Sequence, residues 1–268
     1  MLYPATTAIA TFCVLVAAAL IGLGVRRVLP EEHKAMETVQ LVQLVNGMLV
    51  TFAALMLSLL TASAKSSFDT VTDDFHTFAS DLIQLDTTLR SYGTEGDPAR
   101  ALLRAYTAAT TASTWPHERP PPGDYFPRDI TPKDASENLD DIRLDRMLDE
   151  AGKELRKLAP GDPYHQVLKE EGLAQFARAV SAHWKLVEEA HSSISMPFFM
   201  TLAFWLFVIF LSFGLIAPHN ALALVTIGLG SILLASVVYV IVDFDTLFRG
   251  LIVVPSQPLR DAVAHMST

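Results

Sequence analysis

Gln40, Gln43 and Asn46 recur every third residue inside a stretch, residues 38–64, that carries no charged side chain. A primary amide in such a stretch needs a hydrogen-bond partner or water, because an unpaired one in hydrocarbon costs several kcal/mol. Two chemistries follow. One is hydrogen bonding between membrane helices, worth about 0.6 kcal/mol per contact. The other is the wall of an aqueous pore. Gln40 and Gln43 lie on a stripe of three- and four-residue steps that continues through Gly47, Val50, Ala54 and Leu57, with Asn46 one position off it. The apolar end of that stripe is suited to a constriction that gates by dewetting. Packing and pore stand level on this span alone.

The other polar groups are less specific. His183 and His191 lie about two helical turns apart with Glu188 between them, but zinc needs three or four converging ligands at closer spacings. Polar histidines at a membrane interface are the expectation, and no metal. Asp243-Phe244-Asp245 precede Arg249, and the four-residue step from Asp245 to Arg249 suits an interfacial ion pair on a helix. No glycine-rich phosphate loop, nucleophile elbow or HExxH motif occurs, so the expectation is no enzyme and no cofactor. Cys13 is the only cysteine, which excludes an intrachain disulfide and a thiolate metal cluster.

The elements that position these groups follow from charge and hydropathy. Half of the 268 residues are hydrophobic (51%) against 18% charged, where a soluble domain carries about 25% charged residues. The charges are segregated. Residues 65–192 hold 15 Lys/Arg and 23 Asp/Glu, a net of −8 out of the chain's −9. A soluble enzyme, a disordered chain and a protein drawn to nucleic acid by basicity are excluded. Spans of about 20 apolar residues are predicted at residues 5–25, 39–61, 197–216 and 221–242, the last two divided by Ala217-Pro218-His219-Asn220. Continuous apolar runs without alternation make them helices. The first reads as a retained helix rather than a cleaved signal, since no basic residue precedes it and Arg26-Arg27 follow it. Those arginines and Lys34 favour an outward N-terminus and place residues 65–192 outside the cytoplasm; Arg249 and Arg260 argue the reverse.

Beyond the second span, Phe68, Val71, Phe75, Phe78, Leu82, Leu85, Leu89 and Tyr92 form an a/d heptad that Gly93 closes. Projected backwards at the same step, the heptad passes through Ala64 and Thr61 into the Leu57–Gln40 stripe, which predicts one helix of some 50 residues with a single inward edge. Asp97-Pro98 signals a second helix with Asp97 as its N-cap. Leu144, Leu148, Ala151, Leu155 and Leu158 mark a third, and Asp162-Pro163 opens a fourth. Residues 115–132, with six prolines, form an ordered loop or a lid. The fourth span is rich in small residues, Thr226, Gly228, Gly230, Ser231, Ala235 and Ser236, which allow close backbone approach. The fold class is all-α: a polytopic membrane protein with four transmembrane helices and an extramembrane helical bundle inserted between the second and third. Its divisions are a first hairpin (1–64), an acidic helical domain (65–192), a second hairpin (193–245) and a C-terminal tail (246–268).

Three segments carry a resemblance: residues 205–220 (WLFVIFLSFGLIAPHN), residues 243–252 (DFDTLFRGLI) with 256–262 (SQPLRDA), and Leu89-Arg90-Ser91-Tyr92-Gly93. They resemble a bacterial membrane family described as bestrophin-like. The resemblance implies kinship with bestrophins, pentameric channels of four-helix subunits whose second membrane helix lines an anion pore. The bestrophin neck's apolar-proline-phenylalanine stretch and an acidic calcium clasp have no equivalent here, so pore residues do not carry over one by one. The expected function is an oligomeric ion channel in the bacterial inner membrane, its partners being the lipid bilayer, further copies of the chain and the permeating ions, and no nucleic acid. Selectivity is open, since the resemblance implies anions while a domain of net −8 concentrates cations. The rival expectation is a non-conducting sensor or assembly protein, with Phe68, Val71, Phe75, Phe78, Leu82 and Leu85 buried in its own bundle and the proline loop as recognition element. A transporter is a weaker third, since the spans lack buried acid/base residues.

Overall fold

The computed structural model describes residues 3–28, 30, 36–127, 141–190, 195–218, 220–248 and 250–268. Among these the regular structure is helical: α1 (Pro4–Val28), α2 (Met36–Tyr92), a 3₁₀ turn (Thr94–Gly96), α3 (Asp97–Thr114), α4 (Ile142–Lys157), α5 (Pro163–Glu189), α6 (Met196–Ile216), α7 (Ala221–Asp245) and α8 (Gln257–Met266). Four of them, α1, α2, α6 and α7, are long and apolar enough to cross a membrane, as the hydropathy predicts. α2 runs for 57 residues, since nothing between Met36 and Tyr92 breaks a helix; Gly93, at φ 95°, ends it in a conformation that costs other residues energy. The chain divides into two compact units, Met1–Ser67 with Ser192–Ile252, and Phe68–His191 with Val253–Thr268.

In the first unit α1 packs on both α6 and α7. Glycines make the α1–α6 crossing close: a Cβ on Gly22 would stand 2.1 Å from the Leu211 carbonyl oxygen, and one on Gly214 would stand 2.0 Å from that of Ala19. Arg26 reaches from the last turn of α1 to the end of α6, donating from Nη1 to the carbonyls of Ile216 (3.1 Å) and Ala217. A cation there answers both the orphan carbonyls and the negative end of the helix dipole. Leu15, Ala18, Ala53, Leu60, Leu202, Leu206, Ile209, Phe210 and Ile241 make the core. On α7, Ser231 and Ala235 of the small-residue series turn inward, whereas Thr226 and Ser236 are exposed. Asn220 caps α7, its Oδ1 accepting from Ala223 N at 2.9 Å.

In the second unit Val71, Phe75, Phe78, Leu82, Leu85 and Leu89 are all buried, against Tyr106 of α3 (Phe78–Tyr106, 6.4 Å) and Trp115 (Phe75–Trp115, 5.2 Å). α3 packs on α4 and α8, and α4 on α5. Asp162 caps α5 as expected, accepting from His165 N at 3.0 Å. Asp97 does not cap α3. The 3₁₀ turn takes the chain one residue too far, so Gly96 stands at the N-cap and Asp97 contacts Arg100 instead.

Two further findings change the predicted picture. The tail contains α8, whose Leu259, Ala262, Val263 and Met266 are buried. The described part of the proline segment, residues 115–127, is held to it: Trp115 Nε1 donates to the Val254 carbonyl at 2.7 Å, and Glu118 Oε2 accepts from Ser256 Oγ (2.5 Å) and Arg260 Nη2 (2.8 Å). Residues 128–132 lie outside the described residues.

Candidate functional site

The first-unit portion of α2 presents three faces. Asn46, Ala53, Leu60 and Ala64 are buried, with Leu49, Met56 and Leu57 packed partly against the same core. Leu41, Leu44, Met48, Phe52, Leu55 and Leu59 project outward as a broad apolar face of the kind hydrocarbon accommodates. Between these, Gln40, Gln43, Gly47, Val50 and Ala54 are exposed too, joined by Thr51 and Ser58. A Cβ on Gly47 would meet nothing within 4 Å. Of the four spans α2 is the least covered by the rest of the chain. Its small and polar stripe lies roughly 100° round the helix from the buried face at 3.6 residues per turn.

Two residues expected in the pore wall stand apart from the exposed stripe. Leu57 turns toward the core. Asn46 is 4% exposed, and neither Oδ1 nor Nδ2 has a partner among the described residues. The single inward edge predicted for all of α2 therefore divides. A heptad step of 3.5 residues projected along a helix of 3.6 drifts by about 20° per heptad, hence about 80° over the 28 residues from 68 back to 40. The track that begins on the buried positions near Val71 thus arrives at Gln40 on an exposed face.

The heptad residues beyond the span are largely buried within the second unit. Val71, Phe75, Phe78, Leu82 and Leu85 are at most 1% exposed, and Phe68 is half-buried. At the end of α7, Asp243 is fully buried and its carboxylate accepts the backbone N–H groups of Leu251 (3.2 Å) and Ile252 (2.9 Å). It anchors the chain leaving the helix, and Gly250 fits because a Cβ there would stand 2.2 Å from Asp243 Oδ1. The predicted pairing of Asp245 with Arg249 lies outside the described residues, as does His191. Among the described residues no group of three or more His, Cys, Asp or Glu side chains is arranged for a metal ion.

His183 is enclosed by helices. It is 1% exposed in the second unit, between the Tyr106 hydroxyl (3.0 Å from Nδ1) and Asp145 Oδ1 (3.3 Å from Nε2). Asp86, fully buried, holds Arg100 (2.8 Å) and Arg90 (3.0 Å). Neither cluster has a short sequence signature, because its members come from distant helices or sit in an ordinary acidic run.

Four apolar spans around a glycine-mediated crossing, with one span left largely uncovered, define a polytopic helical membrane protein. Residues 13–259 match the Bestrophin-like domain, and the chain belongs to the bestrophin-like family. Its fold is shared with crystal structures of a bacterial bestrophin homolog from Klebsiella pneumoniae. A tryptophan-to-alanine variant of that protein is 16% identical, with 99% of this chain and 97% of the other covered at a TM-score of 0.67. A tyrosine-to-alanine variant is 14% identical over 96% and 97% at 0.64, and the structure phased by zinc anomalous scattering is 16% identical over 96% of both chains at 0.64. No curated protein matches.

Proposed function

We propose that this protein is an oligomeric ion channel of the bacterial inner membrane in which copies of α2 surround the pore. The observation that carries this reading is the uncovered stripe of α2: Gln40 and Gln43 stand in a charge-free span and are exposed from their own chain. Amides at that depth require water or a second protein surface, and family membership supports the first. The lining residues are Gln40, Gln43, Gly47, Val50 and Ala54, with Val50 and Ala54 as the apolar constriction. Asn46 and Leu57 face the subunit core and drop out of the wall. Arg26 and Arg27 favour residues 65–192 on the periplasmic side.

Purified protein in planar bilayers should conduct, and Gln43→Leu should change the unitary current while leaving expression and assembly intact. Reversal potentials in asymmetric salt separate the anions that bestrophin kinship suggests from the cations that the acidic domain favours. Bilayers that stay silent across pH, calcium and voltage would overturn the proposal.

One observation favours the rival reading. The heptad residues from Val71 to Leu89 are buried within one chain, as a non-conducting sensor or assembly protein requires. A monomeric particle by native mass spectrometry would decide for it.

A further inference from the structure

Polar groups seldom sit in a helical core without being paired, and His183 of α5 is paired on both edges. Nδ1 meets the Tyr106 hydroxyl of α3 and Nε2 the Asp145 carboxylate of α4. The ring faces pack against Phe78 of α2 (6.3 Å) and the neighbouring Trp184 (5.5 Å), which are neutral. Donor and acceptor inventories fix the resting tautomer. Burial, reinforced by the charge of Asp145, raises the Tyr106 phenol far above its ordinary value, so its O–H is intact and donates to Nδ1. The carboxylate can only accept, so Nε2 carries the hydrogen. Thr110, one turn further along α3, places a buried hydroxyl beside that of Tyr106, where it partly offsets that rise, and the Thr110 hydroxyl has no hydrogen-bond partner among the described residues. Asp145 is 31% exposed and opens this otherwise sealed cluster to solvent. Two cations of the same helices are paired with other carboxylates, Lys185 with Asp74 at 2.8 Å and Arg143 with Asp141 at 2.9 Å.

We propose that His183 is a proton-binding site of the second unit, with Asp145 as its counter-charge and the Tyr106–Thr110 hydroxyl pair as its adjustable partner. One proton from water ends on Nδ1. The imidazolium then donates from both nitrogens, to the Asp145 carboxylate and to the Tyr106 oxygen. Tyr106 turns from donor to acceptor at Nδ1 and directs its own O–H to Thr110 Oγ1. One N–H bond forms, the bond that breaks is the O–H of the hydronium ion that gives up the proton and leaves as water, and the added positive charge sits beside a carboxylate already in place. The orphan hydroxyl of Thr110 acquires its role here, since without it the displaced phenolic hydrogen would have no acceptor. A neutral histidine held only for packing would use Asp145 as an acceptor but would have no need of the spare acceptor at Thr110. Proton uptake would join α3, α4 and α5 by a charged network in place of a neutral one, whether or not α2 lines a pore.

The test is a pH titration of the imidazole nitrogens of the full-length protein, labelled with ¹⁵N-histidine and held in detergent, the His183 signals being assigned by their loss in His183→Gln. The expected result is a neutral Nε2–H tautomer at high pH that converts to imidazolium between about pH 5 and 8. Asp145→Asn should move the midpoint down by about one pH unit or more, and Asp145→Glu should restore it; far-ultraviolet dichroism checks that both variants remain folded. A ring that stays neutral down to the pH of unfolding would overturn the proposal, as would a midpoint that Asp145→Asn leaves in place.

Discussion

Replacing Gly214 by alanine tests the packing that sets the membrane unit. The added Cβ would stand 2.0 Å from the Ala19 carbonyl oxygen and 2.9 Å from both Ala19 C and Leu23 N. All three are backbone atoms, so no rotamer change relieves the overlap and the two helices must separate by more than about 1 Å. Overpacking of this kind costs about 1–3 kcal/mol. Separation also pulls Arg26 from the carbonyls at the end of α6, and a charged hydrogen bond contributes about 1.5–3 kcal/mol. A loss of about 3 kcal/mol corresponds to a melting temperature lower by about 6–12 °C. Thermal unfolding of the detergent-purified protein, followed by intrinsic fluorescence, reads it directly. Gly22→Ala should behave alike, since its Cβ would meet the Leu211 carbonyl oxygen at 2.1 Å. Gly24→Ala and Gly228→Ala serve as controls: nothing lies within 4 Å of either added atom, and helix propensity favours alanine by about 1 kcal/mol. If Gly214→Ala and Gly228→Ala melt within about 2 °C of each other, the close crossing of α1 and α6 is wrong.

Two other outcomes follow. Asn46→Leu should raise the melting temperature by several degrees, because it removes a buried amide with no partner, a defect that costs about 1–3 kcal/mol; a fall would mean that water or another copy satisfies that amide in the assembly. Burial first, and then the neighbouring Asp74, push the Glu189 carboxyl above its ordinary value. Its proton therefore stabilises the fold fully below the unfolded-state value, and that contribution is lost as pH rises through the raised one. Melting temperature measured across mildly acidic to neutral pH should accordingly decline less in Glu189→Gln than in the parent, and equal slopes would refute the assignment.

The spans were legible because hydropathy measures the transfer that bilayers reward, and each predicted segment falls inside an observed helix. Asp162 was legible as a cap because aspartate and proline act on their immediate neighbours. The same signal at Asp97-Pro98 misleads by one residue, since the 3₁₀ turn after Gly93 depends on how α2 and α3 meet: a Cβ on Gly96 would stand 2.5 Å from the Leu89 carbonyl oxygen. α8 carries a local signature. Ser256-Gln257-Pro258 starts a helix, and Leu259, Ala262, Val263 and Met266 fall at the spacing of one buried face. The His183 cluster was not readable, because Tyr106, Asp145 and His183 come from three helices and none is unusual in its own sequence context.

The division of α2 into faces bears on how copies could assemble. Within residues 68–92 most of the large apolar side chains are already buried in the chain's own second unit. The membrane stretch differs. Only Asn46, Ala53, Leu60 and Ala64 are buried there, and the outward side chains sort into large apolar ones and small or amide-bearing ones. Hydrocarbon accommodates the first set without a partner. The second set combines side chains too small to cover the backbone with amides too polar for lipid, a combination suited to a neighbouring helix or to water. Leu substitutions along Gln40, Gln43 and Gly47 should therefore disturb conduction, whereas Ala substitutions at Leu41, Leu44 and Leu55 should not. The contrast between the two sets isolates the exposed stripe from the general hydrophobicity of the span.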